Sequence, residues 1–486
     1  MFAKQAVVRS KPRLLPALVR FQSASTKPPQ PSGLLLAATG VVVAATGGAL
    51  GWYVAIRRPQ KAPTKRTTSV PPRLDHKTGY PFQFLSPPSP EEVTRTLTQD
   101  TWSISKPVEG ISRYDGSQLP HASTCEDRYI HGTFPSPSGP GQDWMAFGVY
   151  DGHLGSRTSE ALAKHLVPYV HRFLSRVKGT LSDDDDRATH EAISSAFCSL
   201  DDAFVKQAEE IMESNLSWSE KAVRLGTGSN GSCALLSLYD PSSRKLHVAC
   251  TGDSRAVLGR QAPDGAWEVV PLSIDQSGQN PAEKERVAAE HPDEKIDELV
   301  RDGRVLGLAT ARAFGDGHWK WPLATNERAR DAYLADTVRA QKPELYRTPP
   351  YVTAKPEVAT TVIDRTQPAF MIVATDGLWD ALSSEQAVGL VGKWLAWRAE
   401  GMPDPASGAA PSEFSRFDYV RHRENEGRIS PEKFTVCDEN AAVHLTRNSL
   451  GGAHHDMVSG LLSFGPPYAR YARDDITVQV VFFNCS

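Results

Sequence analysis

Short apolar runs that meet an aspartate constrain the fold of this chain more than any other feature. Each run has six to eight mostly aliphatic and aromatic residues, which is typical of a buried β-strand. The runs are Trp144–Tyr150, Leu246–Thr251, Phe370–Thr375 and Ile476–Phe483. Asp-Gly or Gly-Asp follows the first three, and Asp-Asp precedes the fourth. Because turn residues bound every run, the sequence predicts the core strands of sheets.

An aspartate therefore lies at one end of each predicted strand. These residues are Asp151, Asp253, Asp376 and Asp474, with Asp380 four positions after Asp376. A carboxylate at the end of a buried strand is costly unless it is paired or binds a metal. One such aspartate beside glycine is usually a turn former, but four are harder to explain in this way. If the strands are neighbours, the carboxylates converge, and convergent oxygen ligands suit Mg²⁺ or Mn²⁺.

A site for two divalent ions would indicate an enzyme that acts on phosphoryl groups. Two ions about 4 Å apart can clamp a phosphoryl group and lower the pKa of a bridging water. His153, just after Asp151-Gly152, is then a candidate general acid. Ser254 lies in a sequence that resembles a nucleophile elbow, but the short apolar run Ala256–Gly259 follows it where such an elbow needs a helix. We interpret that run as the second strand of a hairpin, which disfavours serine hydrolysis.

The segments between the predicted strands favour helices. Gly155–Val177 is helical in character, and His190–Met212 carries apolar residues at helical spacing. The glycine-rich run Gly226–Gly231 lacks the Lys-Ser/Thr of a phosphate-binding loop. It is therefore predicted to be a loop that enters the strand Ser232–Leu238.

The N-terminal region differs from the rest of the chain in charge. No acidic residue precedes Asp75, whereas twelve lysines and arginines do. Residues 1–31 are basic, acid-free and rich in Leu, Val, Ala and Ser, which predicts a mitochondrial presequence. A basic amphipathic surface helix is the alternative.

A transmembrane helix is predicted next, over residues 32–56. This segment contains no charge, is long enough to cross the roughly 30 Å hydrocarbon layer, and ends in Trp52-Tyr53 followed by Arg57-Arg58. A buried helix of a soluble protein is the alternative. Residues 57–94 are rich in Pro, Lys, Thr and Ser and are predicted to be a flexible linker. The folded domain is then residues 95–486.

The composition of the body excludes several classes of protein. After residue 74, 42 basic residues face 57 acidic ones, a balance of about −15. An acidic body argues against nucleic acid as a main partner. The six cysteines form no CxxC pair, so a structural zinc site is not expected. We expect the cysteines to be free thiols in a reducing compartment.

Five motifs, in this order, resemble those of the metal-dependent (PPM, type 2C) Ser/Thr protein phosphatases. They are Glu126-Asp127-Arg128, Tyr150-Asp151-Gly152-His153, Thr251 to Ala256, Asp376 to Asp380, and Asp474 to Thr477. The resemblance covers about residues 95–484. Within the family, the chain is most similar to the mitochondrial pyruvate dehydrogenase phosphatases, on four further segments. These are Leu306–Leu308, Arg312–Asp316, Thr348–Tyr351 and His444–Arg447.

The resemblance implies an α+β fold, a four-layer α/β/β/α sandwich of two antiparallel sheets flanked by helices. It implies two Mg²⁺ or Mn²⁺ ions between the sheets, and a bridging hydroxide that attacks phosphorus. Asp151 would bridge both ions, and the Gly152 carbonyl would bind one of them. Asp376 would serve one ion and Asp474 the other. The remaining implied roles are outer-shell water binding by Glu126 and Asp127, a weaker third ion at Asp253 and Asp380, and protonation of the leaving oxygen by His153.

One position departs from the family pattern. Many members carry a phosphate-binding arginine four residues before the glutamate of the Glu-Asp pair, where this chain has Ala122. Arg128 is the nearest cation in sequence and is our candidate for phosphate binding.

The resemblance also implies a partner, the pyruvate dehydrogenase α subunit. Another mitochondrial phosphoprotein is the alternative substrate, and a membrane-tethered pseudophosphatase that only binds is the alternative function. The predicted insertions, Gly317–Tyr346 and Met402–Asn440, are candidates for docking a partner. A presequence followed by a membrane span at the inner mitochondrial membrane would leave the body in the intermembrane space, whereas pyruvate dehydrogenase lies in the matrix. Basic residues flank both sides of the span, so charge favours neither side.

Overall fold

The computed structural model describes most of the chain beyond residue 87. The described residues are 22–23, 88–121, 124–139, 141–177, 186–329, 332, 343–403, 415–425, 427–465 and 469–485. Apart from Gln22–Ser23, the predicted presequence and transmembrane helix lie outside them, as does nearly all of the predicted linker. Within the described residues, no helix is both long and apolar enough to cross a membrane.

The first of two large sheets has six antiparallel strands. Their order across the sheet is β1-β4-β5-β8-β9-β15. The strands are β1 (Gln22–Ser23), β4 (Arg128–Phe134), β5 (Trp144–Tyr150), β8 (Ala234–Tyr239), β9 (Lys245–Thr251) and β15 (Glu357–Val362). Every residue of the central strands β5 and β8 is buried, as continuous apolar runs require.

The second large sheet also has six antiparallel strands, in the order β11-β10-β16-β17-β3-β2. They are β2 (Thr101–Ser105), β3 (Ile111–Leu119), β10 (Arg255–Gln261), β11 (Trp267–Pro271), β16 (Ala369–Ala374) and β17 (Ile476–Phe483). Strands β16 and β17 lie at its centre and are entirely buried.

The two sheets pack face to face through an apolar core. Phe147 and Val149 from the first sheet meet Met371, Val373 and Val481 from the second, and all five side chains are fully buried. Alternate residues of the same strands point outward, so each sheet has a second apolar face that helices must cover.

Helices cover both outer faces. On the first sheet lie α2 (Arg157–Val177) and α3 (Arg187–Glu213), which bury residues such as Leu166 and Phe197 against it. On the second sheet lie α10 (Ser384–Ala399) and α12 (Ala441–Ser449), where Trp394 stacks on Phe482 at a ring-centroid distance of 5.3 Å. The predicted four-layer arrangement of two antiparallel sheets flanked by helices is thus confirmed.

Shorter elements complete the described fold. The remaining strands are β6 (Gly152–His153), β7 (Gly231–Ser232), β12 (Val300–Arg301), β13 (Arg304–Val305) and β14 (Phe314–Gly315). The remaining helices are α1 (Pro90–Leu97), α4 (Trp218–Ser229), α5 (Pro281–Glu290), α6 (Ile296–Leu299), α7 (Gly317–Lys320), α8 (Leu323–Ala329), α9 (Asp376–Trp379), α11 (Tyr419–Glu424), α13 (His455–Leu462) and α14 (Ala469–Ala472).

Two local predictions differ from the structure. Strands β9 and β10 do not form a hairpin, because the chain crosses from the first sheet to the second at Gly252-Asp253-Ser254. The crossing requires glycine at 252, where φ is +110° and a Cβ would lie 2.3 Å from the Cys233 Sγ. The run Gly226–Gly231 is not a loop throughout, since α4 continues to Ser229 and Gly228 lets it approach the Phe204 carbonyl.

Helix α1 begins before residue 95, within the segment predicted to be linker. Ser89 and Glu92 form a reciprocal capping box at its start. Val93 and Leu97 are each only 1% exposed. Residues 90–94 are therefore part of the packed domain.

Candidate active site

Three of the predicted aspartates meet between the two large sheets. Asp151 follows β5, Asp253 lies in the crossing from β9 to β10, and Asp376 begins α9 after β16. Each contributes a carboxylate oxygen, and these oxygens all lie within 4.8 Å of one another. The convergence that the strand-end pattern predicts therefore occurs for these three residues.

The electrostatics of this cluster are those of uncompensated negative charge. Burial, reinforced by neighbouring carboxylates, raises the pKa of Asp151 well above its ordinary range. The same two causes, burial and then the charge of Asp253, raise the pKa of Asp376 to about 6. In the described part of the chain, no ion pair involves any of the three side chains, and the buried Asp376 Oδ1 has no hydrogen-bond partner. Clustered carboxylates with an unused oxygen fit a hard divalent cation.

Gly152 packs too closely on its surroundings to carry a side chain. A Cβ at this position would lie 2.4 Å from the Glu126 carbonyl oxygen and 2.9 Å from the Ser159 hydroxyl. The same hydroxyl donates to the Glu126 carbonyl at 2.6 Å. Glycine thus brings the turn after Asp151 directly against the segment that carries the Glu126-Asp127 pair.

Asp475 fixes that segment, and the sequence analysis gave it no role. Its Oδ1 accepts hydrogen bonds from the His121 backbone N–H and pairs with the His121 ring, both at 2.6 Å. Its Oδ2 accepts from the backbone N–H groups of Glu126 at 2.7 Å and Asp127 at 3.4 Å. Burial opposes ionisation, but these hydrogen bonds hold the pKa of Asp475 below its ordinary value. Asp475 therefore anchors the loop.

The Asp127 carboxylate is buried beside the cluster. Its Oδ2 accepts hydrogen bonds from the hydroxyls of Thr375 at 3.0 Å and Thr477 at 2.6 Å. Burial, and secondarily the charge of Asp475, raises the pKa of Asp127. Thr375 directly follows β16 and Thr477 is the second residue of β17, so adjacent core strands orient this acid.

Asp474 and Asp380 lie to one side of the three clustered aspartates. Asp474 Oδ1 pairs with the Arg470 guanidinium and accepts from the Asp475 backbone N–H at 2.7 Å. Asp380, one turn after Asp376, is exposed. Both residues line a cavity of about 220 Å³ that also contains Gly377. The two acids therefore face a space next to the cluster.

His153 pairs with Asp316, a contact that the sequence analysis missed. The His153 Nε2 lies 2.8 Å from Asp316 Oδ2, and Asp316 is fully buried. Burial disfavours the protonated ring, but the Asp316 charge outweighs it and raises the pKa of His153. Gly231 adjoins the pair, where a Cβ would lie 1.9 Å from Nε2 and 2.4 Å from both Asp316 carboxylate oxygens. In the sequence, Asp316 ends the segment Arg312–Asp316, which was noted only for its resemblance to the family and not as a partner of His153.

Arg128 is held by structural contacts. Its Nη1 donates to the backbone carbonyls of Cys125 at 2.7 Å and Asp127 at 2.6 Å, and its Nη2 to Glu160 Oε1 at 2.8 Å. These bonds attach the Glu126-Asp127 segment to α2. These bonds use three of the five guanidinium N–H groups, and the phosphate contact predicted for Arg128 stays a prediction.

This fold and acidic cluster correspond to a known family. Residues 117–444 match the profile of the protein phosphatase 2C family. The chain belongs to that family and is a serine/threonine protein phosphatase.

Curated relatives agree with this assignment. The chain is 38% identical to a protein phosphatase 2C homolog of Schizosaccharomyces pombe, over 82% of this chain and 86% of the relative. It is 35% identical to the mitochondrial pyruvate dehydrogenase (acetyl-transferring)-phosphatase 1 of Saccharomyces cerevisiae, over 78% and 69%. It is 30% identical to the protein of the same name from Rattus norvegicus, over 82% and 83%.

Proposed function

We propose that this phosphatase depends on two Mg²⁺ or Mn²⁺ ions and activates mitochondrial pyruvate dehydrogenase by dephosphorylating its α subunit. The observation that carries the metal dependence is the cluster of the buried Asp151 with the half-buried Asp253 and Asp376, in which the buried Asp376 Oδ1 has no partner among the described residues. The substrate rests on the names of the relatives, several of which are mitochondrial pyruvate dehydrogenase phosphatases.

The residues divide into holding and proton-transfer roles. Asp151, the Gly152 carbonyl, Asp376 and Asp474 would hold the two ions, while Asp253 and Asp380 would hold a weaker third. Bound divalent ions neutralise charge on the phosphoryl group and lower the pKa of the attacking water. Glu126 and Asp127 would orient water at the edge of the site.

His153 would supply the proton that the leaving group needs. Water attacks phosphorus, the bond from phosphorus to the serine or threonine oxygen breaks, and His153 protonates that oxygen. Because Asp316 engages Nε2, the proton would leave from Nδ1. Asp316 would act as a positioning residue that fixes the ring.

A mitochondrial location is part of the proposal, and both the relatives and the sequence support it. Several relatives are named as mitochondrial, and residues 1–31 are predicted to be a presequence. Anchoring of the body to the inner membrane by residues 32–56 stays a prediction from sequence alone.

Asp151→Asn tests the metal site. We expect phosphate release from a phosphoserine peptide at saturating Mn²⁺ to fall by at least about 10³-fold, which is about 4 kcal/mol of transition-state stabilisation. Asp143→Asn removes an exposed carboxylate just before the other end of β5 and should keep full activity. Asp151→Asn activity within tenfold of wild type would refute the assignment, and metal-independent binding without turnover by wild type would indicate a pseudophosphatase.

The substrate needs a separate comparison. We expect kcat/KM for the phosphorylated pyruvate dehydrogenase α subunit to exceed that for other mitochondrial phosphoproteins carrying phosphoserine. Equal values would remove the α subunit as the preferred substrate and leave the phosphatase chemistry in place.

A further inference from the structure

The cavity beside Asp474 has a basic wall that the catalytic roles above do not use. It measures about 220 Å³ and lies between α9, α11, α12 and α14. Arg423 from α11, Arg470 from α14 and Arg473 from the turn after α14 line it together with Asp380 and Asp474. We call it the arginine pocket. Its volume is sufficient for one carboxylate or phosphate group.

Two of the three arginines, Arg423 and Arg473, have guanidinium N–H groups that no described protein group accepts. Arg423 is exposed, and no ion pair or hydrogen bond of its side chain occurs within the described residues. The Nε of Arg473 is buried without a hydrogen-bond partner, although its Nη2 donates to the Pro120 carbonyl at 2.7 Å. A buried guanidinium N–H without an acceptor is costly. An anion in the pocket would compensate the guanidinium charge that Arg473 brings to the wall.

The third arginine depends on the proposed metal site. Arg470 pairs with Asp474, which is one of the carboxylates that we expect to hold an ion. A divalent cation at Asp474 would compete for this carboxylate and leave Arg470 to find another anion. The other titratable group in the wall is His422, which burial keeps neutral near pH 7 by lowering its pKa to about 4.

The location of the pocket indicates where its anion comes from. The pocket shares Asp380 and Asp474 with the proposed metal site, and Gly377, next to Asp376, also lines it. A group bound there therefore lies close to the scissile phosphoryl group. An extended peptide advances about 3.4 Å per residue. A side chain roughly one to three residues from the phosphoserine would therefore reach the pocket.

We propose that the arginine pocket binds an anionic side chain of the substrate, an aspartate, a glutamate or a second phosphoserine, near the phosphoserine that is hydrolysed. This proposal rests on the proposed phosphatase function and adds a rule for substrate choice. Arg423 lies in the segment Met402–Asn440, which is predicted from sequence to be an insertion. The preference for an anionic substrate residue would therefore depend on this insertion rather than on the carboxylates of the catalytic core.

Binding of non-hydrolysable peptides tests the proposal on the full-length, Mn²⁺-loaded protein. Each peptide carries a phosphonate analogue of phosphoserine and, at one of three positions on either side, aspartate, phosphoserine or alanine. Fluorescence anisotropy gives the Kd. We expect an anionic residue at the best position to lower Kd at least tenfold relative to alanine, and added salt to shrink this ratio. A gain with phosphoserine alone supports the pocket and identifies phosphate as its ligand.

Two variants of α11 provide the matched comparison. The measured quantity is the Kd of the alanine-containing peptide divided by the Kd of the peptide with the anionic residue. Arg423→Gln should reduce this ratio from at least about tenfold to below about threefold. Arg421→Gln removes the same charge two residues earlier, outside the pocket lining, and should keep the ratio. Melting temperatures of both variants establish that they fold.

Two results would overturn the pocket. One is an equal Kd for all three residues at every position, and the other is an Arg423→Gln protein that keeps the tenfold ratio. Hydrolysis of an ordinary phosphoserine peptide by the wild-type protein is measured in parallel. Its absence would refute the phosphatase mechanism, whereas hydrolysis without a preference would refute the arginine pocket alone.

Discussion

The pair formed by His153 and Asp316 allows a catalytic role of the histidine to be separated from a structural one. Asp316→Asn removes the charge next to Nε2 while keeping the size of the side chain. Asparagine also tolerates the left-handed backbone of this position, where φ is 51°. The Nε2–Oδ2 distance is 2.8 Å and Asp316 is fully buried. A hydrogen bond to a charged group in such a place contributes about 1.5–3 kcal/mol.

The expected loss depends on the leaving group. If Asp316 orients and charges the His153 ring for proton donation, losing that contribution lowers kcat for a phosphoserine peptide by about 10- to 150-fold. p-Nitrophenolate leaves without a proton, so kcat for p-nitrophenyl phosphate should fall less than about threefold. His153→Ala should show the same selectivity, with a loss of about 10²–10⁴-fold on the peptide. Steady-state kinetics of both substrates at saturating Mn²⁺ measure this.

A double-mutant cycle provides the refutation. Because Asp316 acts through His153 in this reasoning, adding Asp316→Asn to His153→Ala should cost little further activity on the peptide. Multiplicative losses in the double variant would show that Asp316 acts independently of the ring. Equal losses on the two substrates, with a lower melting temperature, would assign both residues a structural role only.

Two further predictions concern stability. Deleting residues 1–84 should leave a folded, active enzyme. Deleting through residue 99 should also remove α1 and lower the free energy of unfolding by about 3–6 kcal/mol, because Val93 and Leu97 are no longer buried, and urea unfolding measures this difference. Equal stability of the two truncations would show that α1 is dispensable. Burial lowers the pKa of His131 and of His247 to about 4 in the folded state, so the unfolded state binds more protons between about pH 6.5 and 4, and the free energy of unfolding should fall as the pH falls through that window. Replacing His247 with glutamine should flatten this fall, and an unchanged slope would contradict the assignment.

The central strands could be predicted from sequence because they are buried on both faces. Trp144–Tyr150 and Ile476–Phe483 have the observed bounds of β5 and β17. Strand β15, Glu357–Val362, was not predicted, because it lies at a sheet edge and contains only exposed and half-buried residues. The pairing of β9 and β10 with other strands could not be predicted either, because the crossing between the sheets at Asp253 resembles the turn of a hairpin in sequence.

The clustered aspartates of the site could be predicted from sequence, but the residues that position the site could not. Asp151, Asp253 and Asp376 stand out because each ends a strong apolar run. Asp316 lies 163 residues from His153, and its contact depends on Gly231 leaving room for the pair. Such contacts are set by tertiary packing and have no local pattern.

Hydrogen bonding gives a physical reason for the different roles proposed for the adjacent Asp474 and Asp475. Both oxygens of Asp475 are occupied by donors from the loop that it anchors, which leaves little capacity for a cation. Asp474 accepts only through Oδ1, and no hydrogen bond to its Oδ2 occurs in the described part of the chain. A carboxylate can bind a metal only with lone pairs that the protein has not already used. This difference supports Asp474 as the ligand and Asp475 as the residue that positions the loop.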